Sequence, residues 1–218
     1  MRKRSGNDGV GDHVYQAIKA RVVAYAFPQG QRIYLEPIAE ELGVSTRPVR
    51  RALNRLVAED LVIKAPRRGF IAMTLSENDL MGQYAVTRLT LSDELRKIEP
   101  AARKRLPEFE PIASVLIRLR RSVHSNSESL ASRTGEIFAH IAGLNEDAKA
   151  FRSIDRANDR LYYIRTLECQ RLDSVQNELI RICELLLAGR CEELISAIHA
   201  YHDQRVALLP TLLEFPTE

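Results

Sequence analysis

Gly43 stands between two short helical patterns in this chain of 218 residues, and that punctuation limits what the N-terminal third can fold into. Before it, Glu36-Pro37 opens a helix, since proline in a first turn gives up no needed hydrogen bond, and Ile38, Ala39 and Leu42 share one face. Gly43 supplies the left-handed backbone that closes a helix, Val44 turns inward, and Ser45 is a strong N-cap for a helix running through Val57. Helix, glycine turn, helix is a helix-turn-helix. Upstream, Val14, Ile18, Val22 and Tyr25 recur at helical spacing from an Asp12 cap, and that helix must end by Phe27, before Pro28. Residues 1–11 are polar and basic, which predicts a frayed arm within reach of a phosphate backbone.

The helix after Gly43 has two unlike faces. Val49, Ala52, Leu53 and Leu56 form the apolar one, and Arg47, Arg50, Arg51, Asn54 and Arg55 the other. Leu61-Val62-Ile63-Lys64 and Phe70-Ile71-Ala72-Met73 then read as two short strands joined by Ala65-Pro66-Arg67-Arg68-Gly69, a basic hairpin or wing. Arginines on one helix face are commonly just solvated charge. With a basic wing alongside, a polyanion partner is the better reading. The charge distribution agrees: residues 1–75 hold 13 Lys and Arg against 7 Asp and Glu, whereas residues 76–218 hold 19 against 22.

The segment RIYLEPIAEELGVSTRPVRRALNRLVAEDLVIKAPRRGF resembles the winged helix-turn-helix of the GntR family of bacterial transcriptional regulators, with LGVSxxPVRxAL as its specific part. The chain departs from the family pattern in four places. Thr46-Arg47-Pro48 replaces Arg-Thr-Pro, Arg51 stands where an acid is usual, Asp60 replaces a common glycine, and Glu36 takes a basic position. The resemblance implies that Ser45, Thr46, Arg47 and Arg50 lie at the major groove, with Arg47 or Arg50 gripping guanine O6 and N7. Arg51 would reach phosphate, Arg67 and Arg68 would bring charge to the minor groove, and Gly69 would let the wing backbone approach closely.

Residues 76–218 show helical spacing throughout. The first helix, capped by Ser76-Glu77-Asn78-Asp79, carries Leu80, Tyr84, Ala85 and Leu91. Others run over Pro111 to Val123 (ended by His124-Ser125-Asn126-Ser127), Leu130–Ala142, Glu146–Arg156, Asn158–Arg171, Val175–Leu187 and Cys191–Leu209. The expected fold is mainly α: a winged helix-turn-helix over 1–75 and an antiparallel all-α bundle of six or seven helices over 76–218. LSENDLMGQYAVTRLTL and NELIRICELLLAGRCEELISAIHAYH are similar to the first and last helices of the effector domain of the FadR-like subfamily. That resemblance implies a homodimer whose helical domain, an FCD domain, binds a small molecule and tunes affinity for a double-stranded operator.

Arg88 is the ligand candidate. On the inner face of a bundle it would demand a buried acid or an anionic ligand such as a carboxylate; alternatively it is part-exposed and paired with Asp93 or Glu94. Many members of the subfamily hold a divalent metal with an aspartate and three histidines, but the two late histidine positions fall here on Leu179 and Tyr201. Glu136, His140, His199 and His202 are the remaining weak candidates, and the expectation is that no metal binds. A helical domain that only dimerises, with neither effector nor metal, is the alternative.

Composition removes other classes. No run reaches 18 apolar residues, and MRKRSGNDGVGDH lacks the apolar stretch of a signal peptide, so a soluble cytoplasmic protein without membrane partners is expected. Cys169, Cys183 and Cys191 form no CxxC pair and read as inert thiols. There is no glycine-rich phosphate loop, GxSxG or HExxH, so catalysis is not expected.

Overall fold

The computed structural model describes residues 5–122 and 125–213 and divides the chain into two compact units, Met1–Leu75 and Ser76–Glu218. In the first, α1 (Ser5–Val23), α2 (Leu35–Glu41) and α3 (Thr46–Ala58) pack with β1 (Arg32–Ile33), β2 (Val62–Ala65) and β3 (Gly69–Ala72). Val14, Ile18, Ile33, Val49, Leu53, Leu56 and Phe70 meet in a shared apolar core, which removes the predicted inward faces of α1 and α3 from water.

The strands form an antiparallel sheet of order β1-β3-β2. In it Ile63 faces Ile71 and Ala65 faces Gly69 across the wing, while Arg32 faces Ile71 on the other edge. Strand β1 is absent from the sequence reading because two residues cannot display an alternation. Its place comes from pairing with β3, some forty positions away.

Three helices of this unit close in the same way. Ala26 N–H donates to Arg21 O, Val44 N–H to Ala39 O, and Leu61 N–H to Leu56 O, each at 2.9 Å. In each, the preceding residue is left-handed: Tyr25 (φ 53°), Gly43 (φ 63°) and Asp60 (φ 58°). Helix α1 therefore ends at Val23, ahead of the boundary that Pro28 imposes. The left-handed backbone also explains why glycine is usual where this chain has Asp60. At the other end α1 starts at Ser5, so residues 5–11 are helical rather than a frayed arm. The periodicity did not reach them because nothing between Gly9 and His13 is buried, and residues 1–4 lie outside the described residues.

The second unit consists of α4 (Glu77–Lys97), α5 (Pro100–Arg103), a 3₁₀ turn (Leu106–Glu108), α6 (Glu110–Arg121), α7 (Ser127–Ala142), α8 (Ala148–Arg171), α9 (Val175–Leu187) and α10 (Cys191–Leu213). The pairs α7 with α8, α4 with α10, α4 with α8 and α6 with α9 are in contact. Their apolar core runs through Leu91, Leu95, Val115, Leu119, Phe138, Ile154, Leu179, Leu186 and Ile198. Asn126 caps α7 by accepting from Ser129 N–H at 2.9 Å, and Asp147 caps α8 through Lys149 and Ala150 N–H at 2.8 and 3.2 Å.

Three expectations are corrected. Glu146–Arg156 and Asn158–Arg171 are one helix, because Asn158 does not cap; its side chain spans to α7, donating to Gly135 O at 2.9 Å. The last helix passes Leu209 and carries Pro210 inside it, with Leu212 buried beyond. Ala85 on α4 is exposed, not part of the core. The predicted end of α6 at Val123 and His124 lies outside the described residues. Among the described residues no helix is long and apolar enough to cross a membrane.

Candidate nucleic-acid interface

Ser45 sits at the N-cap of α3 with extended backbone (φ −74°, ψ 164°), but its hydroxyl makes no capping hydrogen bond. Thr46 beside it is half-buried, and Arg47, Arg50 and Arg51 follow on the exposed face. None of these three guanidiniums has an ion-pair partner among the described residues. Their neighbour differs. The Arg55 guanidinium lies 3.6 Å from the Tyr15 ring centroid, 3.6 Å from Asp12 and 3.2 Å from Glu59. Tyr15 in turn donates to Glu59 at 2.7 Å, and burial together with that carboxylate pushes its hydroxyl pKa up. Asn54 accepts from Lys64 Nζ at 3.0 Å, tying β2 to α3. The polar face thus separates into a structural part, Asn54 and Arg55, and an unpaired part, Arg47, Arg50 and Arg51.

A cavity of about 780 Å³ opens between the middle of α1 and the start of α3, lined by Val10, Gly11, Asp12, Arg47, Pro48 and Arg51 among others. The surface beside the first turns of α3 is therefore concave and cationic.

The wing turn is closed by Arg68 N–H donating to Ala65 O at 3.3 Å, with Pro66 and Arg67 between them. Arg67 takes φ 63°, the left-handed conformation of the third position of a type II turn and one that favours glycine. Arg67 and Arg68 are exposed. Gly69 has a left-handed backbone (φ 77°) that favours glycine, although a Cβ there would meet Arg32 Nε only at an ordinary 3.6 Å. The Arg32 guanidinium stacks 5.2 Å from the ring of the exposed Tyr34, so a further cation joins the wing. Sequence reading missed Arg32 because its strand is too short to be seen.

In the helical unit, Arg88 is part-exposed and donates to Asp203 on α10 at 2.7 Å, rather than to Asp93 or Glu94. The buried arginines are others: Arg165 is 1% exposed and Arg205 is 0% exposed. Both lie in apolar stripes, Arg165 after Ile154, Ala157 and Leu161, Arg205 after Leu194, Ile198 and Tyr201. A charge at a stripe position was the available signal. Arg205 pairs with Glu178 at 2.5 Å and lies 3.9 Å from Glu168, while Tyr84 donates to Glu168 from α4. Burial pushes Glu168 up to about 7.

The metal candidates do not come together. Glu136 pairs with Arg118 at 2.5 Å, His140 packs edge-on to Phe109, His199 meets Ser92 at 2.9 Å, and His202 bonds Ile198 O at 2.7 Å. Among the described residues no three His, Cys, Asp or Glu side chains converge as a metal set. The three thiols are free.

Residues 11–71 match the family of bacterial regulatory proteins, gntR family. The Nta operon transcriptional regulator of Aminobacter aminovorans is 25% identical over 183 residues, covering 84% of this chain and 86% of that protein. A GntR transcriptional regulator structure from Rhodococcus sp. RHA1 has a similar fold, with TM-score 0.74 and 17% identity over 94% of this chain and 99% of that one. E. coli McbR/YncC is similar at TM-score 0.67 and 17% identity, again over 94% and 99%.

Proposed function

We propose that this chain, a DNA-binding transcriptional regulator of the GntR family, reads a roughly palindromic operator as a homodimer and adjusts its grip when a small organic acid enters the helical unit. The observation that carries the reading is the set of unpaired guanidiniums of Arg47, Arg50 and Arg51 on an exposed helix face beside a basic wing. Unpaired arginines in water are ready to exchange counterions for phosphates and to reach guanine edges. Ser45 and Thr46 at the helix start, Arg67 and Arg68 on the wing, and the close-approaching Gly69 complete the proposed contacts.

Dimerisation is supported by α4, which carries Met81, Val86 and Leu89 exposed at 41%, 44% and 64%, with Gly82 and Ala85 also exposed among them. A single winged domain reads too few base pairs for strong selectivity, so two copies on related half-sites suit the task. The FadR-like assignment of the helical unit is part of this proposal. It is supported by a buried polar cluster that an ordinary structural bundle does not need. The role is regulatory, as the name of the Aminobacter relative says of that protein.

Fluorescence anisotropy tests the reading on a duplex enriched by in-vitro selection and on its scrambled counterpart. The enriched duplex binds tightly as two subunits, and a panel of organic acids changes its affinity. Equal, salt-insensitive binding of both duplexes would refute the groove assignment.

A further inference from the structure

Strand β1 puts two polar side chains on the outer face of the wing sheet. Along Arg32-Ile33-Tyr34-Leu35 exposure alternates, because successive side chains of an extended segment point to opposite faces. Ile33 and Leu35 are buried in the core of this unit, and Arg32 and Tyr34 are left outside. Tyr34 keeps the extension past the end of the strand, with φ −90° and ψ 134°. Its ring is 58% exposed yet not idle, since the Arg32 guanidinium lies 5.2 Å from the ring centroid. The same guanidinium borders Gly69: Nε, Nη2 and Cζ lie 3.6, 3.8 and 4.0 Å from the point a Cβ of that glycine would occupy. Arg32 therefore rests against the foot of the wing turn that carries Arg67 and Arg68.

Among the described residues no carboxylate pairs with Arg32, Arg67 or Arg68. Three like charges around one turn raise the positive potential there, and the partner such a cluster attracts is an anion. The sheet order says on which side of the wing the third charge lies. Strand β2 abuts α3, with Lys64 donating to Asn54 at 3.0 Å, and β3 separates β2 from β1. Arg32 is thus on the sheet edge opposite to the one that meets the helix carrying Arg47, Arg50 and Arg51.

We propose that Arg32 clamps a DNA backbone phosphate lying outward of the wing, with its guanidinium held ready by the stack on Tyr34. This rests on the reading of α3 and the wing as the DNA-contacting face, and adds to it a further contact at the outer end of each half-site. A planar fork of N–H donors matches two phosphate oxygens at once, which an ammonium group does not. Stacking on Tyr34 restricts the side chain before DNA arrives, so less freedom is lost when the phosphate is gripped. Tyr34 acts as a positioning residue and Arg32 as the contact. A phosphate carries no sequence information, so Arg32 strengthens binding to every duplex alike and lengthens the stretch of DNA that each subunit covers.

The experiment is fluorescence anisotropy of the full chain over a salt series, on the enriched and scrambled duplexes and on versions of the enriched duplex trimmed base pair by base pair from its outer ends. Arg32→Ala weakens both full-length duplexes by a similar factor, about ten-fold, and lowers the slope of log affinity against log salt by about one unit per subunit. Arg32→Lys keeps the charge and the slope but recovers only part of the affinity, and it keeps the test open if truncation to alanine unsettles the sheet. Tyr34→Leu, which removes no charge, also weakens both duplexes, whereas Tyr34→Phe binds as the parent does. Trimming reaches one step at which the parent loses affinity and Arg32→Ala does not, and an uncharged methylphosphonate at that step reproduces the loss. Arg32→Ala with the parent's affinity and salt slope, on duplexes that Arg50→Ala still weakens, overturns the clamp and leaves the groove assignment standing. A loss confined to the enriched duplex overturns the phosphate assignment in favour of a base contact. Lysine as good as arginine, or Tyr34→Leu without effect, overturns the role of the stack. Indifference to Arg32→Ala and Arg50→Ala alike overturns the DNA-contacting face itself.

Discussion

Two sets of arginines in one chain face opposite solvents. Arg47, Arg50 and Arg51 of α3 stand in water without acidic partners, and Arg165 and Arg205 of the helical unit are closed off from it. In water, an unpaired guanidinium costs nothing to maintain and gains by displacing counterions from a polyanion. Inside a bundle the same group must be matched on the spot. Arg55 shows that position alone does not sort them: it shares the α3 polar face yet belongs to the fold through Tyr15, Asp12 and Glu59.

The sharpest way to break the contrast is to remove an acid from the buried set. Glu168→Leu leaves Arg205 short of a neighbour and Tyr84 without an acceptor, and is expected to cost about 3–5 kcal/mol in chemical denaturation. A change at the part-exposed pair on α3, Glu59→Leu, leaves Arg55 with Asp12 as its acid and is expected to cost only about 1 kcal/mol. Similar losses at both sites would deny that solvent separates them.

On the DNA side, Arg50→Ala is expected to cost about 1–3 kcal/mol on the enriched duplex and to flatten the preference over the scrambled one. Arg55→Ala, though on the same helix face, leaves that preference intact and lowers the melting temperature instead. On α4, Leu89→Glu places a charge on the exposed apolar face and is expected to shift the chain to monomer in native mass spectrometry.

The buried set also makes an expected pH response. A carboxyl held near 7 when folded binds more protons than in the unfolded chain between about 4.5 and 7, so Glu168 makes stability fall as pH rises through that window. His202, lowered to about 3 from 6.5, binds fewer protons folded than unfolded, so its contribution rises with pH between those values. From about 4.5 to 6.5 the two oppose each other, and the parent chain is expected to melt at nearly constant temperature there. Glu168→Gln exposes the rising limb and His202→Leu the falling one. A parent slope unchanged by either substitution would remove both groups from the account.

The smallest effect concerns the wing. Arg67 holds a left-handed backbone at φ 63°, so Arg67→Gly relieves about 1 kcal/mol of strain while removing one cation. Stability rises slightly, all duplexes bind more weakly by a similar factor, and the salt dependence loses about one unit of slope.

Much of the DNA-reading unit was legible in advance because its signals are local. A helix end at Gly43, a start at Ser45 and an apolar stripe through Val49, Ala52, Leu53 and Leu56 are each decided within a turn or two of chain. Even there β1 and its Arg32 escaped, since a two-residue strand exists only by virtue of the partner it pairs with. In the helical unit Val175–Leu187 has its predicted ends, while α8 was split in two because Asn158 resembles a cap until Gly135 is seen opposite it.

What the chain's order alone determined, then, is a helix-turn-helix with a basic wing and an all-helical partner unit, because backbone closure and hydrophobic period act between near neighbours. Which charges are withdrawn from water was decided only by packing. Tyr84, Glu168 and Arg205 come from three different helices, and Arg165 meets Phe138 only once α7 and α8 lie together. A side chain's cost of burial depends on neighbours that are distant in sequence, so a stripe position can mark an arginine for the core but not say which groups meet it there.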